Sequence, residues 1–295
     1  MTIIQSLDLT AKRQLRIVHV TDTHLSASHA YFIDNWRIFC EIIAADPPDL
    51  VIHSGDVSFN GPANEDDLAF ARMQMDKLPC PWLIVPGNHD IGEAPRYSRL
   101  AQPLNDERIS AWKRHFSAQF WLHDIGDWRI VGLDTSLMGS DRPEEADQRA
   151  FLSNALETRG QRPVLLTMHM PPFVETAEDP KPGTSSVVPE ARAAFLETCR
   201  TGGVRAIACG HLHVHHQKEW GGIEIVWGPC TSFVNMSRWF GKLGKFPRAG
   251  YVEWRLDGGA FSHSLVEPVR MISHDMGLWS EAHSTTTKLP PRPLV

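Results

Sequence analysis

No two of the five cysteines in this 295-residue chain form a CxxC pair. Cys40, Cys80, Cys199, Cys209 and Cys230 are scattered, and their number is odd. That argues against a disulfide framework and a thiolate zinc site, and it fits a reducing cytoplasm. Long hydrophobic runs are missing too. Nothing approaches the roughly 18 apolar residues of a membrane span. The opening "MTIIQSLDLTAKRQ" lacks the apolar stretch of a signal peptide. The expectation is a soluble, cytoplasmic protein with no membrane partner. Nor is there an excess of positive charge: 29 Lys and Arg stand against 35 Asp and Glu, a formal net charge of −6. This gives no general attraction to nucleic acid or anionic lipid, though a local basic groove stays open. There is no internal repeat. What is present is ordinary for a globular chain, 42% hydrophobic residues over a length that can bury a sizeable core.

Short apolar runs alternate with amphipathic ones. "LRIVHVT" (15–21), "DLVIHS" (49–54), "WLIVP" (82–86), "WRIVGL" (128–133), "PVLLTM" (163–168) and "VRAIAC" (204–209) read as buried strands. Helical spacing occupies 32–45, 64–77, 106–120, 146–158 and 189–200, with Asn64 as a cap. Later, "IEIVW" (223–227), "YVEWRL" (251–256) and "AFSHSLV" (260–266) alternate between Gly-rich turns and predict antiparallel strands. The fold expected is mixed α/β, an α/β first part and a mostly β last part within one domain, 1–270. Residues 174–186 and 238–250 read as loops, the second with Trp239, Phe240 and Phe246 as a candidate homo-oligomer contact. The Pro-rich end of 271–295 predicts an extended or disordered extension.

Polar residues of metal-ligating type follow the strands. "TDTHL" supplies Asp22 and His24, "SGDVS" Asp56, and "PGNHD" Asn88, His89 and Asp90. "MHMPPF" supplies His169, and "CGHLHVHHQ" His211 and His213. The carboxyl ends of strands in an open α/β sheet form the ligand crevice, so these loops meet at one rim. Two Asp, one Asn and four His exceed the needs of one cation and suit two that share a carboxylate. An all-nitrogen-and-oxygen set suits Mn, Fe, Zn or Co. Two cations of this kind clamp the attacking and leaving oxygens of phosphoryl transfer.

Each motif alone has a bland reading, since Gly and Asn also make ordinary turns. Their order is what carries weight. His19 and His53, inside apolar strands, read as core histidines or as supports behind the ligands, and His263 as a surface residue. Asp134 ends a strand, and a turn hydrogen-bonding role is favoured over direct catalysis. By period-two alternation His215 shares a face with His211 and His213. It is therefore a rim contact or a surface residue, and His216 faces away.

The ordered set D-x-H, G-D, G-N-H-D, H and G-H-x-H resembles the calcineurin-like metallophosphoesterase family over residues 15 to about 256. "TDTHLS", "GNHD", "MHMPPF" and "GHLHVHH" are most similar to its class III cyclic-nucleotide phosphodiesterase branch, which includes glycerophosphodiesterase-like enzymes. The resemblance implies a four-layer αββα sandwich of two mixed sheets flanked by helices. It implies a first metal on Asp22, His24 and His213, a second on Asn88, His169 and His211, and Asp56 bridging them. It further implies metal-bridging hydroxide attack on the phosphorus of a small-molecule phosphoester. His89 would assist the leaving group or a phosphoryl oxygen, and Asp90 would orient the His89 imidazole.

Two departures bear on substrate. "GDVSFNG" lacks the Arg found after G-D-x-x-D in protein serine/threonine phosphatases, which disfavours phosphoprotein and leaves Asn60 as a candidate substrate contact. "MHMPPF" has Met168 where a second His is sometimes found. The alternatives are a phosphomonoesterase or nuclease of the same superfamily, or a non-catalytic scaffold. No ligand is missing, which disfavours the scaffold, and the acidic balance disfavours a nucleic-acid partner.

Overall fold

Alternation along the strands decides the architecture. In β1 (Gln14–Val20), Leu15 and Ile17 face one way, Val18 and Val20 the other, and all four are buried. A strand buried on both faces must lie between two layers. The computed structural model describes residues 14–98, 101–181, 183–243, 246–279 and 288–294. After β1 come α1 (Ile33–Ala45), β2 (Leu50–His53), α2 (Glu65–Met75), β3 (Trp82–Ile84), the short α3 (Asn88–Ile91) and α4 (Asp106–Phe116). Then follow β4 (Trp121–Ile125), β5 (Trp128–Leu133), α5 (Pro143–Glu157), β6 (Val164–Met168), α6 (Pro189–Thr201) and β7 (Val204–Cys209). Next are β8 (His216–Trp220), β9 (Ile223–Trp227), β10 (Phe233–Val234) and α7 (Met236–Leu243). Last are β11 (Tyr251–Asp257), β12 (Ala260–Val266), β13 (His274–Asp275) and α8 (Met276–Trp279).

Two large sheets result, ordered β12-β11-β1-β2-β3 and β4-β5-β6-β7-β9-β8, with β10 and β13 forming a small third one. Their inner faces pack Leu15, Ile17, Leu50 and Ile52 against Ile130, Leu165, Ala206 and Val226. Outside the first sheet, Val18 and Val51 meet Trp36, Phe39, Leu68 and Trp112 from the helices. Outside the second, Leu166, Ile207 and Ile225 meet Leu152 and Leu196. This is the four-layer αββα sandwich expected. The helices start where the chemistry says: Asn64 and Asn105 accept backbone N–H groups at the N-termini of α2 and α4, and Pro143 and Pro189 open α5 and α6. Among the described residues no helix is long and apolar enough to cross a membrane.

Several expectations need correction. Strand β9 is antiparallel to β8, as expected, but its other edge runs parallel to β7, while β11 is antiparallel to both β1 and β12. The reason is burial: Ile223, Ile225, Val226 and Trp227 are all covered, as in a strand sandwiched between layers. Strands β4 and β8 were unforeseen because "WLHDI" and "HQKEW" are polar, partly exposed edge strands. Part of 238–250 is helix α7, nucleated by Asn235, whose side-chain oxygen accepts the Arg238 N–H at 3.0 Å. Phe246 is exposed, while the side chains of Trp239 and Phe240 lie outside the described ones. His263 is half-buried, and its Nε2 sits 2.8 Å from Glu224 Oε1 across the two sheets. Residues 1–13 and 280–287 lie outside the described residues, but 288–294 run along 27–31. There Arg292 N–H donates to Ser28 O, and Ala30 N–H to Arg292 O, both at 2.8 Å.

Candidate metal centre

The parallel pairing of β1 with β2 continues past the strands. Asp22 N–H donates to Gly55 O (3.0 Å) and His24 N–H to Asp56 O (3.1 Å). Within these loops the backbone is forced left-handed at Asp22 (φ 53°), His24 (46°) and Asp56 (55°), and on the other sheet at His211 (69°) and His213 (55°). For a side chain with a Cβ this costs roughly 1–3 kcal/mol per residue and persists only where surrounding structure dictates it. The flanking glycines are a matter of space. A Cβ on Gly87 would collide with Asp56 Oδ1, and one on Gly210 with Thr21 Oγ1 and Asp22 Oδ2.

Five strand ends deliver their side chains to one seam between the sheets. In a first group, Asp22 Oδ1 lies 3.1 Å from His213 Nε2, and His24 Nε2 lies 3.4 Å from that same nitrogen. In a second, His169 Nε2 is 3.3 Å from Asp56 Oδ2, 3.1 Å from Asn88 Oδ1 and 3.1 Å from His211 Nδ1. Asp56 Oδ2 is also 3.8 Å from His24 Nε2, so one carboxylate reaches both groups. The sets Asp22–His24–His213 and Asp56–His169–His211 each have the spacing to hold a cation, as does His24–Asp56–His89. Backbone carbonyls orient three of the rings: His169 Nδ1–H donates to Ser54 O (2.9 Å), His211 Nε2–H to Thr184 O (2.5 Å) and His213 Nδ1–H to Phe233 O (2.7 Å). Each leaves its inner nitrogen free to ligate. Asp22 Oδ2 accepts from Thr21 Oγ1 and His211 N–H, and its buried Oδ1 faces His213 Nε2. Converging imidazole nitrogens and carboxylate oxygens of this kind fit divalent cations with nitrogen and oxygen ligands.

Without cations, protons hold the centre together. Burial pushes His169 toward neutrality, but the carboxylate of Asp56 outweighs it and lifts the imidazolium to about 9. His213 is raised well above its usual range by Asp22 in the same way. The raised His169 contributes stability to the metal-free protein that is fully present below its ordinary 6.5 and is lost as pH rises through about 9. Cation uptake at pH 7 should therefore expel protons from His169 and His213. Affinity at the His169 group should rise about tenfold per pH unit up to the His169 pKa. Calorimetry in two buffers of different ionisation heat checks this, and a binding heat independent of buffer contradicts it.

His89 is the remaining polar ring at the centre. Its backbone N–H donates to Asp56 Oδ1 (2.7 Å), its Nδ1–H to Phe59 O (2.9 Å), and its ring meets that of His24 edge-on at 4.6 Å. Asp90 does not orient it, contrary to expectation. Both residues lie in α3, where successive side chains diverge by about 100°. Asp90 instead accepts from Ser58 N–H and Ser58 Oγ with one oxygen, and from Gly87 N–H and Val57 N–H with the other. It thus pins the loops that carry Asp56 and Asn88. Burial, then Asp56, raise its carboxyl to about 6.

The other candidates lie apart from the two groups. The alternation expected over 211–215 fails because His211 and His213 are left-handed and β8 starts only at His216. His215 Nδ1–H donates to Trp227 O at 3.0 Å instead. Asn60 accepts from Gln102 Nε2 at 2.7 Å. Asp134 is buried, caps the turn at 135–137 through Ser136 N–H, and is raised to about 7 by burial. His53 is a buried support: its Nδ1 accepts from Gly55 N–H and its Nε2–H donates to Thr23 Oγ1. Sequence reasoning missed Ser54, Thr184, Phe59 and Phe233, since each acts through a carbonyl that every residue possesses.

A sequence profile described as calcineurin-like phosphoesterase matches residues 15–215. The chain is 27% identical over 241 residues to the 3',5'-cyclic adenosine monophosphate phosphodiesterase CpdA of Escherichia coli, spanning 77% of this chain and 79% of that one. It is 28% identical over 228 residues to the "Probable glycerophosphodiester phosphodiesterase GpdQ" of Arcobacter nitrofigilis, spanning 71% and 76%. Among solved structures, a purple acid phosphatase from yellow lupin (Lupinus luteus) seeds shares the fold with a TM-score of 0.64 at 14% identity. That match spans 91% of this chain and 54% of the phosphatase, about half its length.

Proposed function

The chain belongs to the calcineurin-like phosphoesterase family and is a phosphoric ester hydrolase; from that premise we propose that it cleaves a small-molecule phosphodiester at a two-metal centre. The observation that carries this reading is Asp56, whose carboxylate reaches both His/Asp groups while His89 lies against them. Asp22, His24 and His213 would hold one cation, Asn88, His169 and His211 the other, and Asp56 both. Two divalent cations, when bound, would lower the pKa of a water and offset charge on the phosphoryl oxygens. The chain's own part is positional and protonic. Asp22 and Asp56 provide the charge, and Ser54, Thr184 and Phe233 fix the imidazoles. With Nδ1–H committed to Phe59, His89 has one further nitrogen for a proton. Held there, a proton would serve a phosphoryl oxygen or the leaving oxygen.

The diester preference rests on the relatives, one named for a cyclic nucleotide and one for glycerophosphodiesters. Mn, Fe, Zn and Co all suit the ligand set. Free cysteines fit a cytoplasmic location. Rates for bis(p-nitrophenyl) phosphate, p-nitrophenyl phosphate, cyclic AMP and a glycerophosphodiester, each with the four metals, test the reading. Diesters should lead. A strong monoester preference would replace it with the phosphomonoesterase alternative.

A further inference from the structure

Three of the four ligating imidazoles have their outer nitrogen fixed by a carbonyl, and the fourth does not. His24 Nδ1 is buried and has no hydrogen-bond partner among the described residues. Packing must therefore set its ring. The ring lies between His89, edge-on at 4.6 Å, and Phe233, whose ring centroid is 5.0 Å from that of His24 and 4.1 Å from that of His213. The same residue's carbonyl orients His213. Phe233 thus supports two of the three members of the first group.

What holds Phe233 comes from the end of the chain. Its backbone pairs with His274, and Val234 pairs with Asp275. It packs on a small cluster of Phe32, Phe59, Met276 and Leu289. Trp279 stacks on Phe32, and Leu289 is 4% exposed. The strand-like pairing of Arg292 with Ser28 and Ala30, and the Tyr31 hydroxyl donating to Pro290 O at 2.7 Å, keep Leu289 in place. The second group has no such dependence: Ser54 and Thr184 fix its histidines.

We propose that the C-terminal segments 274–279 and 288–294 are positioning elements of the first metal group, acting through the Phe233 ring on His24 and His213. This rests on the reading that both groups bind cations. Its consequence is selective. Loosening the C-terminal cluster should weaken one cation and spare the other.

The test titrates the full chain with Co(II) and follows its visible absorption and its stoichiometry. Wild type should bind two equivalents. Leu289→Ala should bind one of them on the order of tenfold more weakly, as supporting residues behind a ligand typically do. That equivalent should be the one lost in Asp22→Asn and kept in His211→Ala, and Leu289→Met should restore it. Leu156→Ala, in the helical layer beyond the other sheet, should lower the thermal midpoint and leave both affinities alone. Equal weakening of both equivalents in Leu289→Ala, no weakening at all, or the same selective loss in Leu156→Ala overturns the proposal. Wild type that binds fewer than two equivalents overturns the two-metal reading beneath it.

Discussion

Asp56→Asn should cost at least roughly 10³ in turnover, the scale of losing a central electrostatic element, and should leave dialysed protein short of two cations per chain. The substitution is nearly isosteric. An asparagine oxygen can still accept the His89 N–H that Asp56 Oδ1 takes at 2.7 Å, so the loop can keep its course. What changes is the other atom. Oδ2 lies 3.3 Å from His169 Nε2 and 3.8 Å from His24 Nε2, and an amide there offers hydrogens where lone pairs converge. The charge that both groups share also disappears. Because Asp56 is the main influence raising His169, proton release on residual cation binding should shrink as well. Elemental analysis alongside diester hydrolysis reads both effects. Two tightly held cations with activity within tenfold of wild type would remove Asp56 from its bridging place.

His89→Ala should lower kcat for diesters by roughly 10²–10⁴, the range for a positioned general acid, while cation content stays at the wild-type level. Among the described residues its ring supports no ligand through a hydrogen bond, and its Nδ1–H is given to Phe59 O. The leaving group separates the two roles open to it. If His89 protonates the departing oxygen, an alkyl diester should suffer far more than a p-nitrophenyl diester, whose phenolate leaves unaided. If it donates to a phosphoryl oxygen, the two losses should match. Unchanged hydrolysis of both substrates would exclude His89 from the chemistry.

The layers and the rim were legible because they depend on periodicity and on strand ends. Alternation in "LRIVHVT" carries two buried faces, and every ligating side chain follows an apolar run. Conformation within the loops was not legible. The period-two reading of 211–215 assumed extended backbone, and left-handed turns at His211 and His213 cancelled it. Asp90 is next to His89 in sequence but not in space, because about 100° of helical rotation separates the two side chains. Edge strands such as "HQKEW" lack apolar signal, since solvent covers one side. Support by a backbone carbonyl leaves no trace in residue identity.

Each candidate cation group draws on both sheets: Asp22 and His24 follow β1 while His213 follows β7, and Asp56 and Asn88 face His169 and His211. A chain cut at Ser117–Gln119, between α4 and β4, therefore leaves neither fragment with a complete coordination set. The two pieces could regain one only by docking sheet on sheet. Metal would then act as the ligand of reassembly, and its concentration would set how firmly the halves of the sandwich stay joined.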